Sequence, residues 1–141
     1  MSLLDQAKSF HNLNKITFEK ALPDLTPTEV LMTEAYVEEG APGDFAIGDI
    51  RKRDGQVWEC SQPHNNANNP DIKPGKSDAH WFAYHSKSAE YAKPFVQPKG
   101  AHDAYQKGEY MVYTNGKTYM SKIDANTWTP EDYPAGWEVV G

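Results

Sequence analysis

The sequence has little of what would hold a small protein together covalently or place it in a membrane. Cys60 is the single cysteine, so no disulfide can form within the chain. No stretch approaches the ~20 apolar residues that a membrane-spanning helix needs. Residues 1–10 lack the basic start and apolar run of a secretory signal peptide. We therefore expect synthesis in the cytoplasm, no export by the general secretory route and no insertion into a membrane.

Positive charge is scarce. The chain carries 14 Lys and Arg against 20 Asp and Glu, which gives a formal net charge of -6. Its only basic run is Arg51 to Arg53, and Asp54 closes that run. Because binding to a phosphate backbone depends on clustered Lys and Arg, the composition argues against nucleic acid as a partner.

Apolar residues are also few. Hydrophobic residues make up 38% of the chain, and the mean hydropathy is -0.77. The 141 residues correspond to about one domain. Such a chain either builds a thin core rich in aromatic residues or buries part of its surface between chains.

The sequence shows no pattern typical of a catalytic or metal site. Cys60 is expected to pack as a small hydrophobe, and no base for a nucleophilic role is apparent. The adjacent carboxylates Glu38–Glu39 and Glu131–Asp132 are expected to be solvated. The histidines show no metal-ligand spacing with a third group nearby: His11, His64, His80, His85 and His102. We predict no enzymatic activity, no metal and no cofactor.

Residues 1–43 are predicted to form a helical segment. Apolar residues recur at three- and four-residue spacing from Leu3 to Phe18, which predicts a helix to about Ala21. The run Thr26-Pro27-Thr28-Glu29 predicts a second helix that starts with a capping box. We expect Val30, Leu31 and Ala35 to face the core, and Gly40 with Pro42 to end this helix.

From Asp44 onward the chain has short strand patterns, and it repeats itself. We predict two small antiparallel β modules from an internal duplication, at 44–85 and 102–141, joined by a polar connector at 86–101. The Asp54-Gly55 and Asn115-Gly116 dipeptides predict a type I′ hairpin turn in each module. The overall prediction is an α+β chain. The matching positions are Phe45 with Tyr105, Gly48 with Gly108, Gly55 with Gly116, Trp58 with Tyr119, and Trp81 with Trp137.

The second module, in the run AYQKGEYMVYTNGKTYMSKIDANTWTPEDYPAGWEVV, resembles the chitin-binding modules of the family 5 and 12 carbohydrate-binding type. The first module is a more divergent relative that keeps the pattern C-x-Q-P-H at Cys60 to His64 and has no aromatic residue in NNANNP. The resemblance implies non-catalytic binding of a chitin-like or cell-surface polysaccharide. It also implies that Trp128 contacts the ligand.

Stacking on a sugar ring requires an exposed flat aromatic side chain with polar groups at its edge. Trp128 lies between polar residues, which favours exposure; the alternative is that it folds back over the hairpin as part of the core. Tyr133, Asn126 and Glu131 are candidates for the edge contacts. The aromatic residues shared by both modules are expected to be structural: Trp58, Trp81, Trp137, Tyr105 and Tyr119.

A further resemblance concerns PDLTPTEVL at Pro23 to Leu31, which is similar to helical leaders that precede such modules in tailed-bacteriophage proteins. It implies a virion protein, in a tail, fibre or capsid appendage, that contacts the host envelope and other virion proteins. By the same analogy we expect a homo-oligomer, a trimer, whose several sites gain by avidity. The alternative is a structural assembly protein of the virion whose modules bind no glycan.

Overall fold

A computed structural model of the chain describes residues 18–69, 71–77 and 79–141. Most of the helix predicted for residues 1–21 lies outside this part, in which residues 18–21 are helical. The described elements are mostly short strands arranged in three sheets, with short helices, so the fold is mixed. The α-helix whose two ends are both described, α1, is Pro27–Met32, and the 3₁₀ turns are Leu22–Asp24, Glu34–Tyr36, Ala89–Tyr91 and Pro134–Gly136. The strands are β1 (Asp44–Phe45), β2 (Ile50–Arg53), β3 (Gln56–Cys60), β4 (His64–Asn65), β5 (Trp81–Ala83), β6 (Lys93–Pro94), β7 (Tyr110–Val112), β8 (Thr118–Ser121) and β9 (Trp137–Val139).

Helix α1 starts as the sequence predicts and ends earlier. The Glu29 amide donates to Thr26 Oγ1 (3.2 Å), and the Thr26 amide donates to Glu29 Oε1 (3.0 Å), which completes the capping box. The helix stops at Met32, well before Gly40, because a 3₁₀ turn and then extended chain follow. Val30 and Leu31 are buried as predicted. Ala35 is exposed, so its predicted place in the core is wrong, since it lies beyond the helix.

The first sheet has the antiparallel order β2-β3-β5 and is covered on both faces. Val57 of β3 packs with the helical segment, in a cluster that includes Val30 and Leu31. The next residue along β3, Trp58, packs on the opposite face with Trp81. Alternate residues of a strand point to opposite faces, so β3 supplies two cores at once.

The turn of the first sheet is the predicted type I′ turn. Asp54 has φ of 53° and Gly55 has φ of 75°, and both positive values are required by this turn. Cys60, in β3 of the same hairpin, has no exposed surface and packs among apolar residues, as predicted.

The second sheet has the order β6-β7-β8-β9, and β6 comes from the predicted connector. Lys93 and Pro94 pair in parallel with β7, and the Phe95 amide donates to the Val112 carbonyl (2.8 Å). The connector is therefore structural: it extends this sheet. The core on one face of the sheet consists of Tyr105, Met111 and Trp137, against which Phe95, Tyr113 and Tyr119 pack.

The second hairpin does not have the predicted type I′ turn. Gly116 has φ of 79°, whereas Asn115 is not among the described residues with positive φ. The Gly116 amide donates to the Tyr113 carbonyl and the Tyr113 amide to the Lys117 carbonyl, both at 2.9 Å. This is a three-residue loop with Gly116 in the left-handed region, and the extra residue removes the need for a second positive φ.

The first and second sheets share a pattern of strand pairing and hydrogen bonds, which we call the frame. In the first sheet β3 pairs with β5 so that Cys60 faces Trp81, and in the second β8 pairs with β9 so that Ser121 faces Trp137. The same two positions accept matching bonds: Gly48 donates to Cys60 (2.9 Å), and Gly108 donates to Ser121 (2.9 Å). Residues matched in the sequence therefore hold corresponding places in the two sheets.

Direct contacts join the two sheets and the helical segment. The His85 ring stacks on the Tyr105 ring with centroids 3.7 Å apart, and the Lys87 amide donates to Thr28 Oγ1 (2.9 Å). This packing accords with the expectation that a module of about 40 residues needs a neighbour for its stability. Within the described ranges, no helix has the length and the apolar content to cross a membrane.

Candidate functional site

The loop after β8 presents two exposed aromatic side chains that lie side by side. Trp128 is 53% exposed and Tyr133 is 40% exposed. Their ring centroids are 6.3 Å apart and the ring planes meet at 66° in an edge-to-face arrangement, and we call this pair of rings the corner. The alternative that Trp128 is a core residue is wrong, because the second core forms around Trp137 and Tyr105 without it.

Backbone contacts hold Trp128 in place although its ring is exposed. Its amide donates to Asn126 Oδ1 (3.1 Å), and its carbonyl accepts from the indole Nε1 of buried Trp137 (3.0 Å). The preceding carbonyl, of Thr127, accepts from Gln97 Nε2 (2.7 Å). A loop backbone fixed in this way loses little conformational freedom when a ligand stacks on the ring that it carries.

Asn126 is not an edge contact as predicted, because it has no exposed surface. Its Nδ2 donates to Ser121 Oγ (3.1 Å) and to the Gly136 carbonyl (3.1 Å), and its Oδ1 accepts from Trp128. All of its polar groups are thus used inside the protein. Asn126 positions the loop that carries Trp128.

A shallow depression of about 290 Å³ lies at the corner, lined by Trp128, Asp132 and Tyr133. The sequence predicts Glu131 as an edge contact and does not single out Asp132. In the structure Asp132 lines the depression, and its exposed neighbour Glu131 does not. A turn over residues 129–133 places Asp132, and not Glu131, beside the two rings. The Asp132 amide donates to Thr129 Oγ1 and the Tyr133 amide to the Thr129 carbonyl, both at 3.0 Å. Thr129-Pro130, a helix-start pattern, was the available signal.

Gly136 allows the corner to form. A Cβ at this position would lie 2.9 Å from Tyr133 Cδ2 and 3.2 Å from Asn126 Nδ2. Both distances are tighter than ordinary contact, so a larger residue would displace the Tyr133 ring or the buried amide.

The first sheet has a different arrangement at the corresponding place. His64 pairs with Phe45 as Asn126 pairs with Tyr105, so Asn66 corresponds to Trp128. Asn66 is 3% exposed, and it bonds to the Gly43 amide (2.8 Å) and the Ile72 carbonyl (2.7 Å). A stacking surface is therefore replaced by a buried polar bridge.

Cys60 lies near a histidine, but the geometry opposes thiol chemistry. His64 Nδ1 is 3.7 Å from Cys60 Sγ and 2.7 Å from the Gln62 carbonyl. At the shorter distance Nδ1 must donate to that carbonyl, so it cannot take the thiol proton. Burial raises the pKa of the Cys60 thiol. Metal-ligating residues do not cluster in groups of three or more anywhere in the described part of the chain.

A larger depression, of about 480 Å³, lies between α1 and the second sheet. Its polar groups already bond to one another: Thr28 accepts from the Lys87 amide, and Glu109 lies 3.4 Å from His85 Nδ1. The depression is better described as the junction between these elements than as a ligand site.

Comparison with known proteins gives no family assignment. No protein-family model matches the chain, and no curated protein matches it. The sequence and the geometry of the site therefore carry the functional argument.

Proposed function

We propose that the protein binds a polysaccharide of the chitin-like or cell-surface class without cleaving it, and that Trp128 is the stacking platform. The observation that carries this proposal concerns Trp128. Its indole is half exposed, while buried side chains bind its backbone amide and its backbone carbonyl. An exposed apolar surface that is carried by a well-held backbone is typical of a recognition surface. Tyr133 forms the second wall of the site, and Asn126 supports it from inside.

Two further expectations belong to this proposal. The shared hydrogen-bonding frame of the two sheets supports an origin by internal duplication, after which only the second copy kept the platform. The phage-like leader at Pro23 to Leu31 supports a place in a virion appendage that contacts the host envelope. A single stacking surface binds weakly, so a homo-oligomer, a trimer in this proposal, would gain strength by avidity.

The experiment is retention of the protein on insoluble chitin and on isolated bacterial cell walls. We expect the wild-type protein to be retained on at least one of them and Trp128→Ala to be lost from it. Ile47→Ala is the matched control, because Ile47 is a 67% exposed apolar residue of the first module. If the wild type is not retained on either material, or if Trp128→Ala is retained equally well, the proposal is wrong and the assembly role is favoured. Mass measurement in solution tests the trimer separately, and a monomer at micromolar concentration would refute it.

A further inference from the structure

We propose that the corner formed by Trp128, Asp132 and Tyr133 prefers saccharide units that carry a protonated amine to the N-acetylated units of the same polymer. The inference rests on the proposed function and concerns the same site. The proposed function names the class of ligand as a polysaccharide, and this inference specifies the charge of the preferred units.

The first observation is the angle between the two rings. Trp128 and Tyr133 meet at 66° with centroids 6.3 Å apart, so a group in the depression lies against both rings. The face of an aromatic ring is its negative pole and attracts cations, and tryptophan attracts them most strongly. A neutral sugar ring needs one flat face, whereas a compact charged group in the depression would contact both aromatic side chains.

The second observation is the charge of the third wall. Asp132 lines the depression, and no Lys or Arg of the described ranges contributes to that lining. None of the ion pairs between described residues includes Asp132. Its carboxylate is therefore available to an ammonium group. An acetamido group can donate its N–H to this carboxylate, but unlike an ammonium group it leaves the negative charge uncompensated.

The neighbouring charges act in the same direction. Glu131 precedes Asp132 and is exposed, and the chain as a whole carries a formal net charge of -6. A negative surface raises the local concentration of a cationic polymer. That general attraction does not depend on Asp132 in particular, so the experiment must separate the two effects.

The test compares a glucosamine oligomer with an N-acetylglucosamine oligomer of equal length, at mildly acidic pH where the amine is protonated. We expect the wild type to bind the amine form about threefold to tenfold more tightly. Asp132→Asn should remove most of this preference and leave binding of the acetylated form unchanged. Glu131→Gln is the matched control, because it removes the same charge from a residue outside the lining, and it should keep the preference.

The outcomes distinguish this inference from the proposed function. Equal binding of the two oligomers that still depends on Trp128 would overturn the inference and leave the proposed function standing. An equal loss of preference in Asp132→Asn and Glu131→Gln would also overturn it, because the attraction would then be general. Binding of neither oligomer, with no retention on cell walls, would remove the proposed function as well.

Discussion

The two sheets build the same frame and use it differently. In the first sheet, the helical segment covers one face and an aromatic cluster covers the other. In the second sheet, one face has a core, while Val139 and Val140 at its edge are 54% and 43% exposed. Both faces of the first sheet are thus buried against other parts of the chain. The second keeps a rigid frame and leaves its loop open to solvent.

The paired tryptophans Trp81 and Trp137 show this difference at one position. Trp137 donates its indole N–H to the Trp128 carbonyl and so holds the backbone that carries the exposed ring. The indole nitrogen of Trp81 is buried and has no hydrogen-bond partner among the described residues. The two tryptophans occupy corresponding positions, so the difference in their hydrogen bonding comes from the loop that packs on each one.

The largest loss of stability should come from weakening the packing of the helical segment on the first sheet. Leu31 is 2% exposed in the cluster under α1, so Leu31→Ala should lower the free energy of unfolding by about 2–5 kcal/mol. Denaturant unfolding followed by tryptophan fluorescence measures the change. Met32→Ala is the control, since Met32 is 52% exposed and should cost less than about 0.5 kcal/mol. Equal effects of the two substitutions would show that the helical segment does not stabilise the sheet.

A smaller effect is expected where the two loops diverge. The amide after each central strand donates to His80 in the first module and to Gly136 in the second, so these residues correspond. Gly136→Ala should cost about 1–3 kcal/mol through the clash with Tyr133, and it should weaken glycan retention. Gly43→Ala is the control, because no atom of the described residues lies within 4 Å of a Cβ at that position. Unchanged retention by Gly136→Ala would mean that the Tyr133 wall does not contribute to binding.

The comparison of the two tryptophans can be tested with a matched pair of substitutions. Trp→Phe removes the indole N–H and similar volume at both positions. Trp137→Phe should cost about 0.5–1.5 kcal/mol more than Trp81→Phe, because Trp137 loses a hydrogen bond and the Trp81 indole makes none with the described residues. Trp137→Phe should also weaken retention on glycan, whereas Trp81→Phe should not. The opposite order in unfolding and retention would disprove the assigned role of Trp137.

The smallest effect is a dependence on pH confined to the first module. Burial, together with the charge of nearby His64, lowers the pKa of His80 below its ordinary value of 6.5. The unfolded chain therefore binds the proton more tightly, so stability should fall as pH drops below 6.5 and level off below the folded-state pKa. Unfolding of wild type and His80→Gln across this range measures it. Parallel profiles of the two proteins would exclude His80 as the source.

Some features follow from the sequence because they depend on a few neighbouring residues. The capping box of Thr26 and Glu29 and the Asp54-Gly55 turn are local, and both are present as predicted. Gly116 shows the limit of that approach, because one extra residue in the loop changed the type of turn that the Asn-Gly pair forms. The correspondence of Trp81 with Trp137 was also readable, since each is the tryptophan near the end of its module.

The tertiary structure decided the roles of the polar residues around Trp128. Asn126, Glu131 and Asp132 are equally plausible surface residues in the sequence, yet one is buried, one lies outside the depression and one lines it. Their positions depend on contacts with distant elements: Asn126 reaches Gly136, and the loop itself is held by Gln97. Local preferences of the chain say where a loop occurs and which large ring it carries. Only packing between residues far apart in the sequence determines which side chains face that ring.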